Sequence, residues 1–245
     1  MRTIALLLLA AGPAWAQVNI EHYRGKMGMT GSASYSFNSD LGNVDVLNSG
    51  GAGNVTINRS HGTVFAIFKG GIGVQGGKRF ANNGVVHLRY TYKKDRRYQP
   101  EGFVQSDYAT SRQLDWRTLA GAGLRYNASE SETGALSFGT GLMWEREGLD
   151  LAPGDPHPDE TSLARSSTYV NVHLSGKVLF STTSYVQVAL PDPGDVRLLG
   201  IVQLTTPLLG RLNQTTSVDF RVDSEPPGGV EKTDVKISTS FGLKF

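Results

Sequence analysis

The sequence predicts an all-β protein, namely a closed antiparallel transmembrane β-barrel of about 12 strands. Three observations favour this fold: an export signal at the N-terminus, alternation of apolar and polar residues in segment after segment, and a last segment that alternates up to Phe245. Alternation with a period of two is typical of strands whose two faces meet different surroundings. In a membrane barrel, one face meets lipid and the other meets a polar lumen.

The first residues have the pattern of a cleaved signal peptide. Arg2 supplies a positive charge, residues 4–11 are apolar, and Ala14 and Ala16 place small side chains at a cleavage site. We therefore expect a signal peptide over residues 1–16 and a mature outer-membrane barrel over residues 17–245. A membrane anchor is the alternative, but a helix needs about 20 apolar residues to cross the hydrocarbon.

The alternating segments mostly have the length that a tilted strand needs to cross a membrane, about ten residues. They predict strands at 26–37, 46–58, 63–75, 84–93, 102–110, 115–127, 134–145, 166–179, 184–190, 196–206, 213–223 and 233–245. An even number of strands returns both termini to the periplasm. With that topology, we expect a periplasmic turn at 180–183, a longer periplasmic connection at 94–101 and a long outer loop at 146–165.

Composition agrees with a barrel and excludes other classes. The chain has 30 glycines, no cysteine and a hydrophobic fraction of 39%, which is low for a helical membrane protein. Because the chain is exported without cysteines, its stability has to come from a closed fold rather than from disulfides. A formal net charge of +2 gives no indication of a nucleic-acid partner. No cofactor motif is present, so we expect no cofactor.

The alternation also predicts which side chains face lipid. Around Arg89, the apolar residues Val86, Leu88, Tyr90 and Tyr92 share one face of the strand. A slip by one residue would turn Arg89 towards lipid, which costs about 2–4 kcal/mol near the midplane. We therefore expect Leu88→Arg to be disruptive and Arg89→Leu to be mild. Leu119 is the one residue that does not follow the pattern of its strand.

The last segment ends in the pattern of a C-terminal assembly signal. Its odd positions from Val235 onwards are mostly apolar and finish with Phe241, Leu243 and Phe245, whereas its even positions are polar or glycine. A terminal strand that closes on an aromatic residue resembles the signal read by the barrel-assembly machinery. We expect this machinery to be a partner during insertion.

Several motifs together resemble the domain-of-unknown-function 481 family of outer-membrane proteins. Residues 223–234 contain an acidic residue, paired prolines, Gly-Val and Lys before a final strand that ends at 241–245. Further similarity lies in segments 101–105, 114–126 and 139–147. Members of the family are often labelled salt-stress-induced. The resemblance implies a barrel, an outer-membrane location and a role in the envelope or in salt stress, but no activity.

Candidate catalytic residues are few. His87 and His173 fall on the predicted lumen face, with Ser175 next to His173 on that face, and a histidine could activate a serine. No nucleophile motif accompanies them, so polar filling of the lumen is the favoured interpretation. The sequence therefore predicts a protein that is not an enzyme.

Two further motifs could indicate a bound calcium ion or phosphate group, but for each of them an explanation without a dedicated ligand site is favoured. Acidic residues gather around the long outer loop, but their spacing matches no calcium-binding loop, so loose contact with divalent ions beside lipopolysaccharide is favoured. They are Glu147, Asp150, Asp155, Asp159 and Glu160. The glycine-rich stretch 70–77 is followed by no helix, which disfavours a phosphate site and favours a curved barrel strand.

Basic residues outnumber acidic ones on the predicted lumen face. The basic set is Arg89, Lys93, Arg117, Arg125, Arg221, Lys236 and Lys244, against Asp107, Asp219 and Asp234. An excess of positive charge would favour anions in a pore, although the arginines could instead pair with carboxylates across a lumen that does not conduct.

Three functions follow, in order of preference: a non-enzymatic barrel that supports the envelope, a small anion-preferring pore, and a lipid-modifying outer-membrane enzyme. Each places the protein in the cell outer membrane, with outer-membrane lipids and lipopolysaccharide as its surroundings.

Overall fold

The computed structural model describes residues 27–40, 46–93 and 95–245. The predicted signal peptide, 1–16, lies outside the described residues. The family match and the closed barrel confirm the predicted fold class and the number of strands. Within the described residues, no helix has the length and apolarity required to cross a membrane.

Twelve antiparallel strands follow one another around the barrel, and β1 pairs with β12 to close it. They are β1 (Gly28–Asp40), β2 (Val46–Arg59), β3 (Gly62–Gln75), β4 (Lys78–Tyr92), β5 (Tyr98–Ala109), β6 (Leu114–Glu130), β7 (Gly134–Leu149), β8 (Glu160–Ser175), β9 (Leu179–Ala189), β10 (Val196–Leu209), β11 (Leu212–Asp223) and β12 (Thr233–Lys244). A short 3-10 helix, Thr110–Arg112, lies between β5 and β6.

Several predicted connections were too long, and one was in the wrong place. Residues 180–183 belong to β9, and the turn before that strand is at 176–178. The outer loop predicted at 146–165 shrinks to 150–159, because β7 extends to Leu149 and β8 begins at Glu160. The periplasmic connection predicted at 94–101 is also shorter, since β5 begins at Tyr98. The strand ends at 98–101, 146–149 and 160–165 contain glycine, proline or charged residues, which obscure alternation, whereas 179–183 contains none of these.

The outer surface has the banded pattern of a membrane barrel. Leu88, Val104 and Leu142 are among the exposed apolar side chains at mid-height. Aromatic side chains lie towards both ends, as the two interfaces of a bilayer favour. Tyr90, Tyr92, Tyr98 and Tyr126 lie towards the end that the predicted topology places in the periplasm, here called the periplasmic end. Phe37, Tyr108, Trp116 and Trp144 lie towards the opposite end, here called the outer end.

The lumen is filled by side chains at its middle. Phe65, Ile67, Tyr169, Tyr185 and Leu199 form a buried apolar cluster there. Leu119, the residue that did not fit the outward pattern, is also buried in the interior, so its strand alternates regularly and simply has an apolar side chain on the lumen face. The interior therefore has an apolar cluster at its middle, next to the buried pair of Arg89 and Glu101, and polar regions on either side.

Candidate functional site

The outer half of the lumen contains two neighbouring groups of buried ion pairs, which we together call the outer-lumen network. The first joins β5, β6 and the helix between them through Asp107, and the second joins β7, β8, β10 and β11. Its positive members are Arg112, Arg117, Arg165, Arg197 and Arg221, and its negative members are Asp107, Glu145, Glu147, Asp195 and Asp223. Five arginines and five carboxylates balance one another, so this outer-lumen network carries no net charge.

Arg197 on β10 is the centre of the outer-lumen network. Its Nη1 donates to Oε1 of Glu145 at 2.9 Å and to Oε2 at 3.0 Å, and its Nη2 donates to Oε1 of Glu147 at 3.0 Å. Its Nε donates to Oδ2 of Asp223 at 3.1 Å. Charge-assisted bonds of this kind are the strong ones in proteins, and three carboxylates share this one guanidinium.

One further arginine of the same group, Arg165, and one of the other group, Arg117, also bind carboxylates. Arg165 Nε donates to Oε1 of Glu145 at 2.9 Å, and its Nη2 reaches Asp195 in the loop between β9 and β10 at 2.5 Å. Arg117 binds Asp107 through two nitrogen atoms, at 3.2 Å and 2.9 Å. The network is thus continuous with the outer loops and ties them to the barrel wall.

A separate buried ion pair, between Arg89 and Glu101, lies near the middle of the lumen. Arg89 Nη1 donates to Oε1 of Glu101 at 2.7 Å, and the hydroxyl of Tyr169 donates to the same oxygen at 2.8 Å. The guanidinium also lies over the Phe103 ring, 5.0 Å from its centroid. Because Arg89 has a buried carboxylate partner, removal of its charge is not the mild change that the sequence alone indicates.

The other basic residues predicted for the lumen lie in three different regions. Arg221 contacts Asp223 within the outer-lumen network. Arg125 is buried near the periplasmic end, where it donates to Asn127 at 3.0 Å and to Ser137 at 2.8 Å. Lys236 on β12 is in register with Asp219 on β11.

Three other residues predicted for the lumen also have identified neighbours. Lys93 donates to Asn58 at 2.6 Å, Lys244 lines a cavity near the periplasmic end, and Asp234 is in register with Arg221.

The sequence prediction missed most of the outer-lumen network. Of its ten residues, only Arg117, Arg221 and Asp107 were predicted for the lumen. Glu147 was assigned to an acidic outer loop, and the others were not recognised, namely Arg112, Arg165, Arg197, Glu145, Asp195 and Asp223. Apolar and polar residues do not alternate regularly around Arg197, because Leu198 and Leu199 are both apolar although they face opposite sides of β10. The sequence therefore did not indicate that Arg197 faces the lumen. The excess of basic residues predicted for the lumen is therefore matched by these carboxylates in its outer half.

The acidic residues considered for calcium are separated in the structure. Glu147 lies inside the barrel, bound to Arg197, whereas Glu160 lies outside, 3.7 Å from Arg146. Asp155 accepts hydrogen bonds from backbone N–H groups, including that of Gly228 in the neighbouring loop at 2.8 Å. Among the described residues, no three histidine or acidic side chains gather as metal ligands.

The candidate catalytic histidines lie on different strands, β4 and β8. Nδ1 of His87 lies 3.0 Å from Oε1 of Gln105, and the ring stacks on Phe103. His173 faces the lumen on β8, in register with Ser181 on β9. A serine does hydrogen-bond a histidine at Ser60 and His61, but these residues are neighbours in an exposed periplasmic turn. Among the described residues, no third group is seen to orient this imidazole as in a triad.

Two cavities adjoin the filled part of the lumen. One, of about 110 Å³, is lined mostly by small or hydroxyl-bearing residues of β1–β3 and β10–β12, such as Ser34, Gly50, Thr215 and Ser238. The other, of about 370 Å³, lies at the periplasmic end between β2 and β6. It is lined by Arg125 and by residues of the connection between β4 and β5.

A closed barrel of antiparallel strands with an apolar outer band and a polar interior defines a membrane β-barrel of the outer-membrane type. The chain belongs to the family described as "Protein of unknown function, DUF481", which matches residues 32–245. This match confirms the family resemblance of the sequence motifs. A search of curated protein sequences finds no match.

Solved structures with a similar fold are outer-membrane barrels. The translocator domain of the autotransporter NalP from Neisseria meningitidis has a TM-score of 0.51 and 10% identity, over 91% of this chain and 90% of that one. The NanC porin has a TM-score of 0.47 and 12% identity, over 88% and 97%. The KdgM porin has a TM-score of 0.40 and 8% identity, over 89% and 98%. At these identities the likeness concerns the fold.

Proposed function

We propose that this protein is a non-enzymatic barrel of the outer membrane that supports the cell envelope and keeps its lumen closed. The observation that carries the proposal is the charge-balanced outer-lumen network, in which five arginines and five carboxylates hold one another. A solute that entered from outside would meet these side chains before it reached the apolar cluster around Tyr169 and Leu199.

Energetics favour a closed state. Removing one partner of a buried ion pair leaves an uncompensated charge and costs about 3–5 kcal/mol. An ion that displaced Arg197 would have to break its contacts with three carboxylates in a low-dielectric interior. The outer-lumen network is therefore a poor selectivity filter, which has to bind ions weakly enough to release them.

The outer surface supports the proposed location. Lipid-facing apolar residues with aromatic residues towards both ends suit a bilayer, and the banding resembles that of outer-membrane barrels. We propose lipopolysaccharide and outer-membrane lipids as its surroundings, and the barrel-assembly machinery as its partner during insertion. Membrane fractionation and heat-modifiable migration on gels test this location, and full recovery in the soluble periplasmic fraction would overturn it.

A small anion-preferring pore is the second candidate. The two cavities favour this candidate. The smaller cavity is lined mostly by small and polar side chains, and several basic side chains line the larger one. Steady channels with anion preference that disappear in Arg117→Glu or Arg125→Glu would establish this alternative. The proposal of a non-enzymatic protein is tested separately, because lipid hydrolysis that depends on His173 would contradict it.

A further inference from the structure

A small cavity lies between the outer-lumen network and the outer loops, and we call it the outer cavity. Its volume is about 20 Å³, which is room for one water molecule or one ion of similar size. Its lining includes His157 from the loop between β7 and β8, and Pro227 and Val230 from the loop between β11 and β12. Arginine and carboxylate side chains of the network form the rest of its polar lining.

The charged side chains that line the outer cavity are mostly positive. Four are arginines and two are carboxylates, so in the described lining the positive charges outnumber the negative ones by two. They are Arg112, Arg117, Arg197, Arg221, Glu147 and Asp223. Two further carboxylates, Asp107 and Glu145, bind Arg117 and Arg197 but lie outside this lining. The network is balanced as a whole, whereas its charge at the outer cavity is not.

Two arginines of the outer cavity each have a buried donor that lacks an acceptor. Arg112 contacts Asp107 through Nη2 at 3.5 Å, and its Nε is buried with no hydrogen-bond partner among the described residues. Arg221 donates to Asp223 through Nη2, and its Nε is buried in the same way. Asp234 on β12 is in register with Arg221 but lies outside the lining. The two guanidinium groups are also close enough to repel each other, and a buried donor without an acceptor is costly.

The carboxylates of the outer cavity already accept several hydrogen bonds. Oδ2 of Asp223 accepts from two arginines, and its Oδ1 accepts from the N–H of Glu225 at 3.3 Å. Oε1 of Glu147 accepts from Arg197 at 3.0 Å and from the hydroxyl of Thr161 at 3.4 Å. A water molecule in the cavity would bring two hydrogen atoms that need acceptors, whereas an anion accepts only. The excess of donors therefore favours an anion over water.

From this geometry we infer that the outer cavity binds one monatomic anion of the size of chloride, held by the guanidinium groups of Arg112 and Arg221. A chloride ion there would accept from both Nε groups and would separate the two positive charges. The volume leaves no room for a phosphate or carboxylate group. A closed lumen does not require a bound anion, so this inference goes beyond the proposed function.

Bromide tests the site directly, because it has the chemistry of chloride and its anomalous X-ray scattering distinguishes it from water. Crystals of the unaltered protein soaked in sodium bromide should show an anomalous peak in the outer cavity, within hydrogen-bonding distance of the Nε atoms of Arg112 and Arg221. Density in the cavity without an anomalous peak would show that water occupies it, and an empty cavity would show that nothing does. Either result overturns the inference.

The stability of the folded protein in lipid vesicles is a second readout. An ion that binds only the folded state raises its stability with the logarithm of the ion concentration once the site is filled. Sodium chloride replaces sodium gluconate at constant ionic strength, because gluconate is far too large for the outer cavity. We expect the urea midpoint of the unaltered protein to rise as chloride replaces gluconate.

Variants locate this chloride effect in the outer cavity. Arg112→Gln and Arg221→Gln should each lose most of the rise, whereas Arg211→Gln, in the exposed turn that precedes β11, should retain it. Heat-modifiable migration reports whether each variant folds. If one cavity variant does not fold, the other provides the comparison, and the bromide peak requires no variant. An equal chloride effect in the cavity variants and in Arg211→Gln would overturn the inference. Conductance plays no part in these outcomes, so they are separate from the test of the closed lumen.

Discussion

Nη1 of Arg197 on β10 contacts both carboxylate oxygens of Glu145 on β7, at 2.9 Å and 3.0 Å, although two strands separate β7 from β10 in the sheet. Glu145 is fully buried and also accepts a hydrogen bond from Arg165. The contact therefore crosses part of the lumen and links strands that make no backbone hydrogen bonds with each other. It explains how side chains alone can close the outer half of a barrel.

The contribution of this centre to stability can be measured against an exposed ion pair. Arg197→Met removes the shared partner of three carboxylates and should lower the free energy of unfolding by about 3–5 kcal/mol. Arg146→Met is the matched control, because Arg146 and Glu160 form a largely exposed pair at 3.7 Å whose loss should cost less than about 1 kcal/mol. Urea titration of the folded protein in lipid vesicles gives both values, and equal losses would show that the outer-lumen network does not stabilise the barrel.

The lipid-facing side of β4 gives a second prediction. Leu88 is 46% exposed on the outer surface, whereas its neighbour Arg89 is 4% exposed inside. Leu88→Arg should lower stability by about 2–4 kcal/mol, because it places a charge in the hydrocarbon. Leu88→Phe keeps an apolar side chain at the same position and should be nearly neutral. If the same titration finds both variants equally stable, Leu88 does not contact lipid near the midplane.

The closing seam between β1 and β12 depends on the last residue. The N–H of Phe245 donates to the carbonyl oxygen of Gly31 at 3.0 Å, and the N–H of Gly31 donates back to Phe245 at the same distance. A Cβ at Gly31 would lie 2.6 Å from the Phe245 ring and 2.8 Å from the carbonyl oxygen of Asn54. The terminal ring thus covers the glycine on the outer face of the seam.

Both sides of this contact can be changed. Deletion of Phe245 and Gly31→Ala should each reduce the fraction of protein that migrates as a folded, heat-modifiable barrel. Gly53→Ala on the neighbouring strand is the control, because its Cβ would meet its nearest atom at 3.8 Å. The prediction fails if Gly31→Ala folds as completely as Gly53→Ala. Phe241 and Leu243 face outwards on the same strand, and their role in the assembly signal remains a prediction.

The sequence predicts the barrel well because register is imposed locally. On β12 the odd positions from Thr233 to Leu243 are more exposed than the even positions between them, as the alternation indicates. The same reasoning fails for the interior, where partners come from strands far apart in the chain. Glu147 and Arg165 lie just beyond the predicted strand ends, so the alternation could not predict that their side chains face the lumen. Arg197 lies within a predicted strand, but its contact with Glu145 joins residues 52 positions apart and leaves no local pattern.

The central claim is that the outer-lumen network closes the barrel, and recording of planar-bilayer conductance from the purified protein tests it most directly. Insertion is checked by heat-modifiable migration of protein recovered from the same lipid. We predict no steady conductance from the unaltered protein, and openings when Arg197→Ser and Glu145→Ser are combined, because this pair removes one charge of each sign from the centre of the network. Steady channels from the unaltered protein, at the same level as in the double variant, would contradict a closed lumen.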